Sequence, residues 1–228
     1  MRRAARALTV FLAVAASPGS AAGPHSWLEG SPLVNWNRPG ARIPRAPAPA
    51  GDLPTAERCR GGVARPAENA LEREVTRAGW TLFGGAEANG RTRMVSGCTS
   101  VDGMCRPLGY QLFVFVDGRF AGTLSPRPMD SRADGSVRLG RLLSSRAVSA
   151  EIARYAAADA LCCPSRVSTV LYELRETAGG PLLVPTSVTT APEATSPAGA
   201  CGAPPTATSP RPPPAARGDS CGNGTSSR

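Results

Sequence analysis

Two adjacent cysteines carry the chain's clearest chemical signal. Cys162 and Cys163 stand in "LCCPSRVSTV", just before a proline and an alternating stretch typical of a β-strand. Together with Cys98 and Cys105 they could supply four thiolates to zinc, but neighbouring cysteines give poor chelate geometry. The chain contains no C-x-x-C spacing, so thioredoxin-type chemistry is not indicated. Structural disulfides are therefore the favoured interpretation.

The pairing of these cysteines depends on how the strands are arranged. If the strands form a meander, Cys98, Cys105, Cys162 and Cys163 all lie at one rim of the sheet. A bond from Cys162 or Cys163 to Cys98 or Cys105 then requires the sheet to curl, because bonded Cα atoms lie about 5.5–6 Å apart. The alternative, Cys98 with Cys105 and Cys162 with Cys163, needs no curl but contains a strained ring. We predict the bond across the rim.

Three further cysteines lie outside the expected domain. These are Cys59, Cys201 and Cys221, and the total of seven means that at least one cysteine is unpaired or intermolecular.

The residue inventory excludes several catalytic mechanisms. The single histidine, His25, lies near the N-terminus, and the chain has no lysine because all its basic side chains are arginine. A Ser-His-Asp or Cys-His nucleophile, a histidine-containing zinc site, a Schiff base and a phosphate-loop lysine therefore cannot be built in the domain. No cofactor is predicted, and an enzyme is the less favoured class.

A carboxylate pair is the remaining catalytic candidate. Asp130 and Asp134 lie in "SPRPMDSRADGS", flanked by Arg127 and Arg132. Two acids this close could serve a carboxylate-dependent hydrolase with its site near residues 125–135. The same residues also fit a solvated, turn-rich loop, or a ligand-binding loop of a non-catalytic protein. Calcium is disfavoured because the regular ligand spacing is missing.

The first 22 residues resemble an export signal. Arginines precede an apolar stretch over 7–16, and "GSAAG" offers small residues for cleavage between about Ala21 and Pro24. The apolar stretch is shorter than the roughly 20 residues of a spanning helix. We predict a protein that is periplasmic, at the cell surface or secreted, without a stable membrane anchor.

The positive charge does not indicate nucleic acid. The net charge is +9, but residues 66–186 hold 14 arginines and 12 acids, a balance of only +2. No basic stripe is interleaved with aromatic side chains. An envelope or extracellular partner of unknown identity is expected instead.

Composition divides the chain into four parts. We predict a signal over 1–22, a Pro/Ala-rich linker over 23–65, an α+β domain over 66–186 and a disordered Pro/Thr/Ser/Ala tail over 187–228. Because both flanks lack core-forming residues, residues 66–186 are expected to fold alone.

The domain is predicted to be one N-terminal helix packed on a curled antiparallel sheet of about six strands. The helix follows Pro66 and ends at Gly79. The clearest hairpin joins two apolar runs through Asp117-Gly118, a favoured tight-turn pair. Its first strand, from Tyr110 to Val116, is apolar on both faces and should therefore lie centrally, with one face under the helix.

Two segments resemble a known family. "DGMCRPLGYQLFVFVDGRFAGTLSPRPMDSR" and "ARYAAADALCCPSRVSTVLYEL" are similar to the LppP/LprE lipoproteins, exported bacterial proteins whose domain is uncharacterised. The resemblance covers roughly residues 68–176 and implies export but no activity. No lipobox cysteine is found in this sequence, which departs from the lipoprotein pattern. The favoured function is a non-catalytic binding or structural module.

Overall fold

The computed structural model describes residues 27–30, 32–49, 59 and 61–193. A short 3-10 turn, Trp27–Glu29, opens the described chain, and one α-helix, α1 (Ala70–Arg77), precedes the strands. The ten strands are β1 (Thr81–Asn89), β2 (Thr92–Cys98), β3 (Ser100–Val101), β4 (Pro107–Leu108), β5 (Gln111–Val116), β6 (Arg119–Thr123), β7 (Val137–Ser144), β8 (Ala147–Arg154), β9 (Arg166–Thr177) and β10 (Gly180–Pro192). None of the described helices is long and apolar enough to cross a membrane.

The strands form three antiparallel sheets. The first has the order β1-β2-β5-β6, the second the order β10-β9-β8-β7, and β3 and β4 pair as a small separate hairpin. Each large sheet is therefore a meander, and the chain passes from the first sheet to the second in the loop between β6 and β7.

The two large sheets enclose the main core. Its buried side chains come from both sheets, for example Val114 and Leu112 from the first and Ile152 and Val170 from the second. The sheet edges also adjoin on both sides, with β6 beside β10 and β1 beside β7. Close packing is visible at Gly140 of β7, where an added Cβ would lie 2.8 Å from Leu112 Cδ2.

The predicted fold class is wrong in its architecture. All six strands expected from the sequence are present, but they are divided between two sheets instead of forming one curled sheet. Sequence reasoning also missed β1, β10 and the β3–β4 pair. β1 is interrupted by Gly84 and Gly85, and β10 contains prolines, so neither gives the regular alternation of a strand.

The local predictions around β5 are confirmed. All six residues of β5 are buried, and the strand lies between β2 and β6. Phe113 and Phe115 face a second apolar cluster that includes Val75 of α1, so the helix covers the outer face of the first sheet. At the tight turn, Asp117 and Gly118 have φ values of 49° and 75°, the left-handed conformation that this turn type requires.

The described part of residues 23–65 is packed against both sheets. Leu28 is 4% exposed and belongs to the main core, and Trp36 packs against the same cluster. Trp80 Nε1 donates a hydrogen bond to the Pro44 carbonyl at 2.8 Å. At the other end β10 continues to Pro192, past the predicted domain boundary at 186. Both flanks therefore contribute to the fold.

Some sequence predictions fall on residues that are not described. The signal over 1–22, its cleavage site, Cys201, Cys221 and the tail beyond residue 193 all lie outside the described residues.

Candidate functional site

An open cleft of about 520 Å³ lies between the two large sheets, on the side where β1 meets β7. The pairing of β1 with β2 is irregular between Phe83 and Glu87, so β1 bulges at this point. Gly85 lies in the bulge and lines the cleft, and a Cβ added there would meet nothing within 4 Å. The bulge thus widens the seam between the sheets and forms the mouth of the cleft.

Apolar side chains from both sheets line much of the cleft. They are Phe83, Met94 and Leu112 from the first sheet and Val137 and Leu139 from the second. Tyr110 also lines it, and its hydroxyl donates to the Val137 carbonyl at 2.6 Å, which ties the two sheets together. Burial raises the pKa of Tyr110, so this phenol remains a donor across the physiological range.

The polar groups of the cleft include two arginines and a tyrosine, Arg132, Arg138 and Tyr155. Partial burial raises the pKa of Tyr155, while the positive charges of Arg132 and Arg138 act in the opposite direction. Arg138 pairs with Glu193 at 2.7 Å, whereas the guanidinium of Arg132 makes no ion pair with any described residue. This part of the cleft is therefore suited to an anion.

One acidic side chain, that of Glu87, is among the described residues that line the cleft, and it lies at the β1 edge. Glu87 accepts a hydrogen bond from the Leu142 amide at 2.9 Å, a contact that connects β1 with β7. This hydrogen bond joins the edges of the two sheets at one end of the cleft. The positively charged groups that line the cleft are Arg132 and Arg138.

The adjacent cysteines lie in an organised loop that reaches the cleft. Asp159 accepts hydrogen bonds from the Ala156 amide at 2.7 Å and the Ser165 amide at 2.8 Å, and these bonds lower its pKa. Tyr155 donates to the Leu161 carbonyl at 3.0 Å. Cys162 and Cys163 are exposed, and Cys162 lines the cleft. Two residues selected from the sequence, Arg132 and Cys162, therefore line the same cleft although they lie in different loops.

The predicted disulfide across the rim is wrong in the structure. Cys105 is bonded to Cys59, 46 positions away, and Cys98 is a buried thiol, so neither is joined to Cys162 or Cys163. Cys59 was set aside because its surroundings looked like a linker, yet it is 6% exposed and packs against Val101. The bond attaches the N-terminal segment to the loop between β3 and β4.

The other predicted residues of the 125–135 loop make hydrogen bonds that hold the loop and neighbouring backbone in place. Asp130 accepts a hydrogen bond from the Gly109 amide at 2.7 Å. Asp134 accepts one from the Tyr155 amide at 2.8 Å and a second from Arg154 Nε at 3.1 Å. The Arg127 carbonyl accepts from Ser125 Oγ at 2.6 Å. These groups line a separate depression of about 320 Å³, away from Arg132, and both carboxylates hold backbone in place.

The described cleft carries several polar groups besides its arginines. Its hydroxyl and thiol groups belong to Ser96, Ser131, Ser136, Tyr110, Tyr155 and Cys162. Among the described residues that line the cleft there is no histidine or lysine, and its one carboxylate, Glu87, accepts a hydrogen bond from the Leu142 amide. The arrangement is suited to holding a ligand by apolar contact and charge.

Comparison with known proteins finds one family model that matches part of the chain, including most of the residues that line the cleft. Residues 92–177 match the model of the LppP/LprE lipoprotein family. The match runs from the first residue of β2 to the last residue of β9, and it includes Arg132, Arg138, Tyr155 and Cys162. It confirms the resemblance seen in the sequence, and the lipoprotein description of the family is consistent with the expected export to the cell envelope. No curated protein matches the chain, and no solved structure matches it.

Sequence reasoning missed Arg138 and Tyr155. Both are single polar residues in or just after a strand, and each fits an ordinary solvent-facing position. The only available signal was their type, since arginine and tyrosine are common in binding sites. Their meeting with Arg132 follows from the antiparallel pairing of β7 and β8, since Arg132 lies before β7 and Tyr155 follows β8. The first sheet then supplies the opposite wall of the cleft.

Proposed function

We propose that this protein is an exported, non-catalytic binding module of the cell envelope, and that its ligand is a single-chain amphiphile with an anionic head group. The observation that carries this proposal is the composition of the inter-sheet cleft. An apolar lining from both sheets adjoins Arg132, Arg138 and Tyr155 within one cavity of about 520 Å³. This volume is in the range of small-molecule sites, about 300–1,000 Å³.

The two parts of such a ligand match the two parts of the cleft. A hydrocarbon chain would contact Phe83, Met94 and Leu112, where each buried methylene contributes roughly 0.8 kcal/mol. A carboxylate would bind Arg132, which lines the cleft and whose guanidinium makes no ion pair with a described residue.

The test is binding of myristate to the full mature protein, measured by displacement of a fluorescent fatty acid. We expect saturable binding, with a weaker interaction for the cationic amphiphile myristyltrimethylammonium. Arg132→Gln should weaken myristate binding about tenfold, because one charge-assisted hydrogen bond is lost. Arg141→Gln is the matched control, since Arg141 lies exposed in the same strand as Arg138 and does not line the cleft.

A second variant fills the cleft without removing charge. Gly85→Leu places a side chain in open space at the mouth and should weaken binding by about tenfold or more. Gly103→Leu is its control, because a Cβ at Gly103 also meets nothing and the residue is not part of the cleft. Equal binding by both leucine variants and the parent would show that the ligand, if any, lies elsewhere.

A further inference from the structure

A second concave surface lies between the N-terminal segment and the first sheet. It has a volume of about 400 Å³, and its apolar walls include Trp36, Trp80, Phe120 and Pro44. Three arginines, Arg38, Arg42 and Arg45, line it as well. We name this surface the arginine groove. It is separate from the inter-sheet cleft, with which it shares no lining residue.

Within the described part of the chain, no carboxylate compensates the charge of the arginine groove. None of the described residues that line it is acidic. The structure also gives none of its three guanidiniums an ion pair or a hydrogen bond with a described residue. Six other arginines, at positions 65, 91, 106, 138, 154 and 175, pair with carboxylates, whereas exposed arginines such as Arg73 and Arg93 make no ion pair with a described residue. What distinguishes the groove is that three unpaired arginines line one concave surface. Three like charges on one short segment repel each other, and a bound anion would relieve that repulsion.

The backbone that carries these arginines is fixed at several points. Asn37 is hydrogen bonded to both Thr123 and Leu183, and Trp36 Nε1 donates to Thr123 Oγ1 at 3.1 Å. The Ala46 amide donates to the Ala78 carbonyl at 2.9 Å. Less ordering is required on binding when the segment is already held, so the groove is pre-organised for its ligand.

A tight turn clusters the first part of the segment. The Ala41 amide donates to the Arg38 carbonyl at 3.2 Å, and Gly40 has φ of 67°, as a turn with Pro39 in the preceding position requires. Pro39 contacts the β9–β10 turn, where a Cβ on Gly179 would lie 2.9 Å from it. Arg38 begins this turn, Arg42 directly follows it, and both line the groove together with Arg45. A concave surface of about 400 Å³ has the size of a small-molecule site, which suits a single anionic head group.

We propose that the arginine groove binds the phosphate head group of an anionic phospholipid, with the adjoining acyl or glycerol part against the aromatic and proline walls. Guanidinium groups bind phosphate oxygens in a bidentate manner, and tryptophan is favoured where an apolar region meets a polar one. The three arginines precede the residues that match the lipoprotein family, whereas part of the opposite wall, including Phe120 and Thr123, lies within the match. The positive charge of the groove therefore belongs to the N-terminal segment of this chain.

The test is co-sedimentation of the full mature protein with vesicles of phosphatidylcholine alone, or of phosphatidylcholine with phosphatidylglycerol. We expect binding only when phosphatidylglycerol is present, and a loss of binding as salt is raised. The triple variant R38Q/R42Q/R45Q should bind about a hundredfold more weakly, since each arginine near an anionic surface contributes to affinity. The triple variant R73Q/R93Q/R141Q removes the same charge from exposed positions outside the groove and should bind like the parent.

A second measurement follows the groove directly. Two of the three tryptophans line it, so titration with a soluble short-chain phosphatidylglycerol should shift the tryptophan emission of the parent protein. Inorganic phosphate alone should not reproduce this shift. Equal losses in the two triple variants, equal binding to neutral vesicles, a full response to inorganic phosphate, or tighter binding of a single-stranded oligonucleotide than of vesicles would each overturn the proposal.

Discussion

The side chain of Asn37 pairs with the backbone of Thr123 as a neighbouring strand would. Asn37 Oδ1 accepts a hydrogen bond from the Thr123 amide at 2.9 Å, and Asn37 Nδ2 donates to the Thr123 carbonyl at 3.2 Å. The same Nδ2 donates to the Leu183 carbonyl at 3.1 Å. Thr123 ends β6 and Leu183 lies in β10, so one side chain bridges the seam between the two large sheets.

Replacement of Asn37 by alanine should destabilise the protein by about 2 kcal/mol, because it leaves backbone groups of both sheets without partners. Chemical denaturation of the purified variant gives the change. Asn89→Ala is a control, since Asn89 is half-buried in β1 and its side chain makes no hydrogen bond to a described residue; its effect should stay within about 0.5 kcal/mol. Equal effects of the two substitutions would contradict the bridging role.

The bond between Cys59 and Cys105 should stabilise the fold by constraining the unfolded chain. For a separation of 46 residues the chain-entropy relation gives about 4 kcal/mol, and measured values are often smaller. We expect the double variant C59S/C105S to unfold at a lower denaturant concentration, while Cys162→Ser, at an exposed position, changes little. Non-reducing peptide mapping should recover a peptide that joins residues 59 and 105. A peptide that joins 105 to 162 would refute this pairing.

Cys98 should resist alkylation in the folded protein. It is 2% exposed, and burial raises the pKa of its thiol to about 11, so almost no thiolate is present at pH 8. Treatment with iodoacetamide followed by peptide mapping should modify Cys162 before Cys98. In denaturant Cys98 should react readily. Fast native modification of Cys98 would mean that the end of β2 opens often.

Acid should weaken the contact between Arg65 and Glu72. The hydrogen bond from Arg65, at 2.8 Å, holds the pKa of Glu72 below its ordinary value, and the Glu72 side chain is 1% exposed. A carboxyl whose folded pKa is lowered contributes its full stability above its unfolded pKa, about 4.3, and loses it as pH falls through the folded value.

The measurement is the unfolding free energy of Glu72→Gln and of the parent between pH 6 and pH 2. We expect the variant to be less stable near pH 6 and to lose less on acidification. Glu74→Gln, on the exposed side of α1, should keep the slope of the parent. A variant with the parent's full acid sensitivity would show that other carboxyls govern this range.

The described segments on either side of residues 66–186 should stabilise the fold, and a comparison of the unfolding of two fragments tests this. A fragment of residues 66–186 lacks Leu28, Asn37, Cys59 and the end of β10, all of which contact the rest of the fold. It should unfold at a lower denaturant concentration than residues 27–193, by more than about 1 kcal/mol in free energy. Equal denaturation midpoints of the two fragments would support the domain boundaries at 66 and 186 that the composition predicts.

The sequence by itself determined the local structure of the segments with the clearest hydrophobic and turn patterns. The apolar run of β5 and the Asp117-Gly118 turn specify a central strand and a hairpin because burial and left-handed backbone conformation depend on adjacent residues. The helix after Pro66 was likewise predictable, although its N-cap is Asn69, which accepts from the Glu72 amide. The residue types also show that residues 66–186 contain no histidine or lysine, while export by the signal over 1–22 stays a prediction.

Only the tertiary structure decided which distant groups meet. The pairing of β7 with β8 brings Arg132, Arg138 and Tyr155 together, but the apolar wall that faces them belongs to the other sheet. The change of sheet between β6 and β7 that creates this cleft leaves no periodic signal. Cys59 and Asn37 looked like linker residues since few apolar side chains surround them in sequence. Their partners, Cys105 and Thr123, lie 46 and 86 positions away, and long-range contacts of this kind depend on the packing of the whole core.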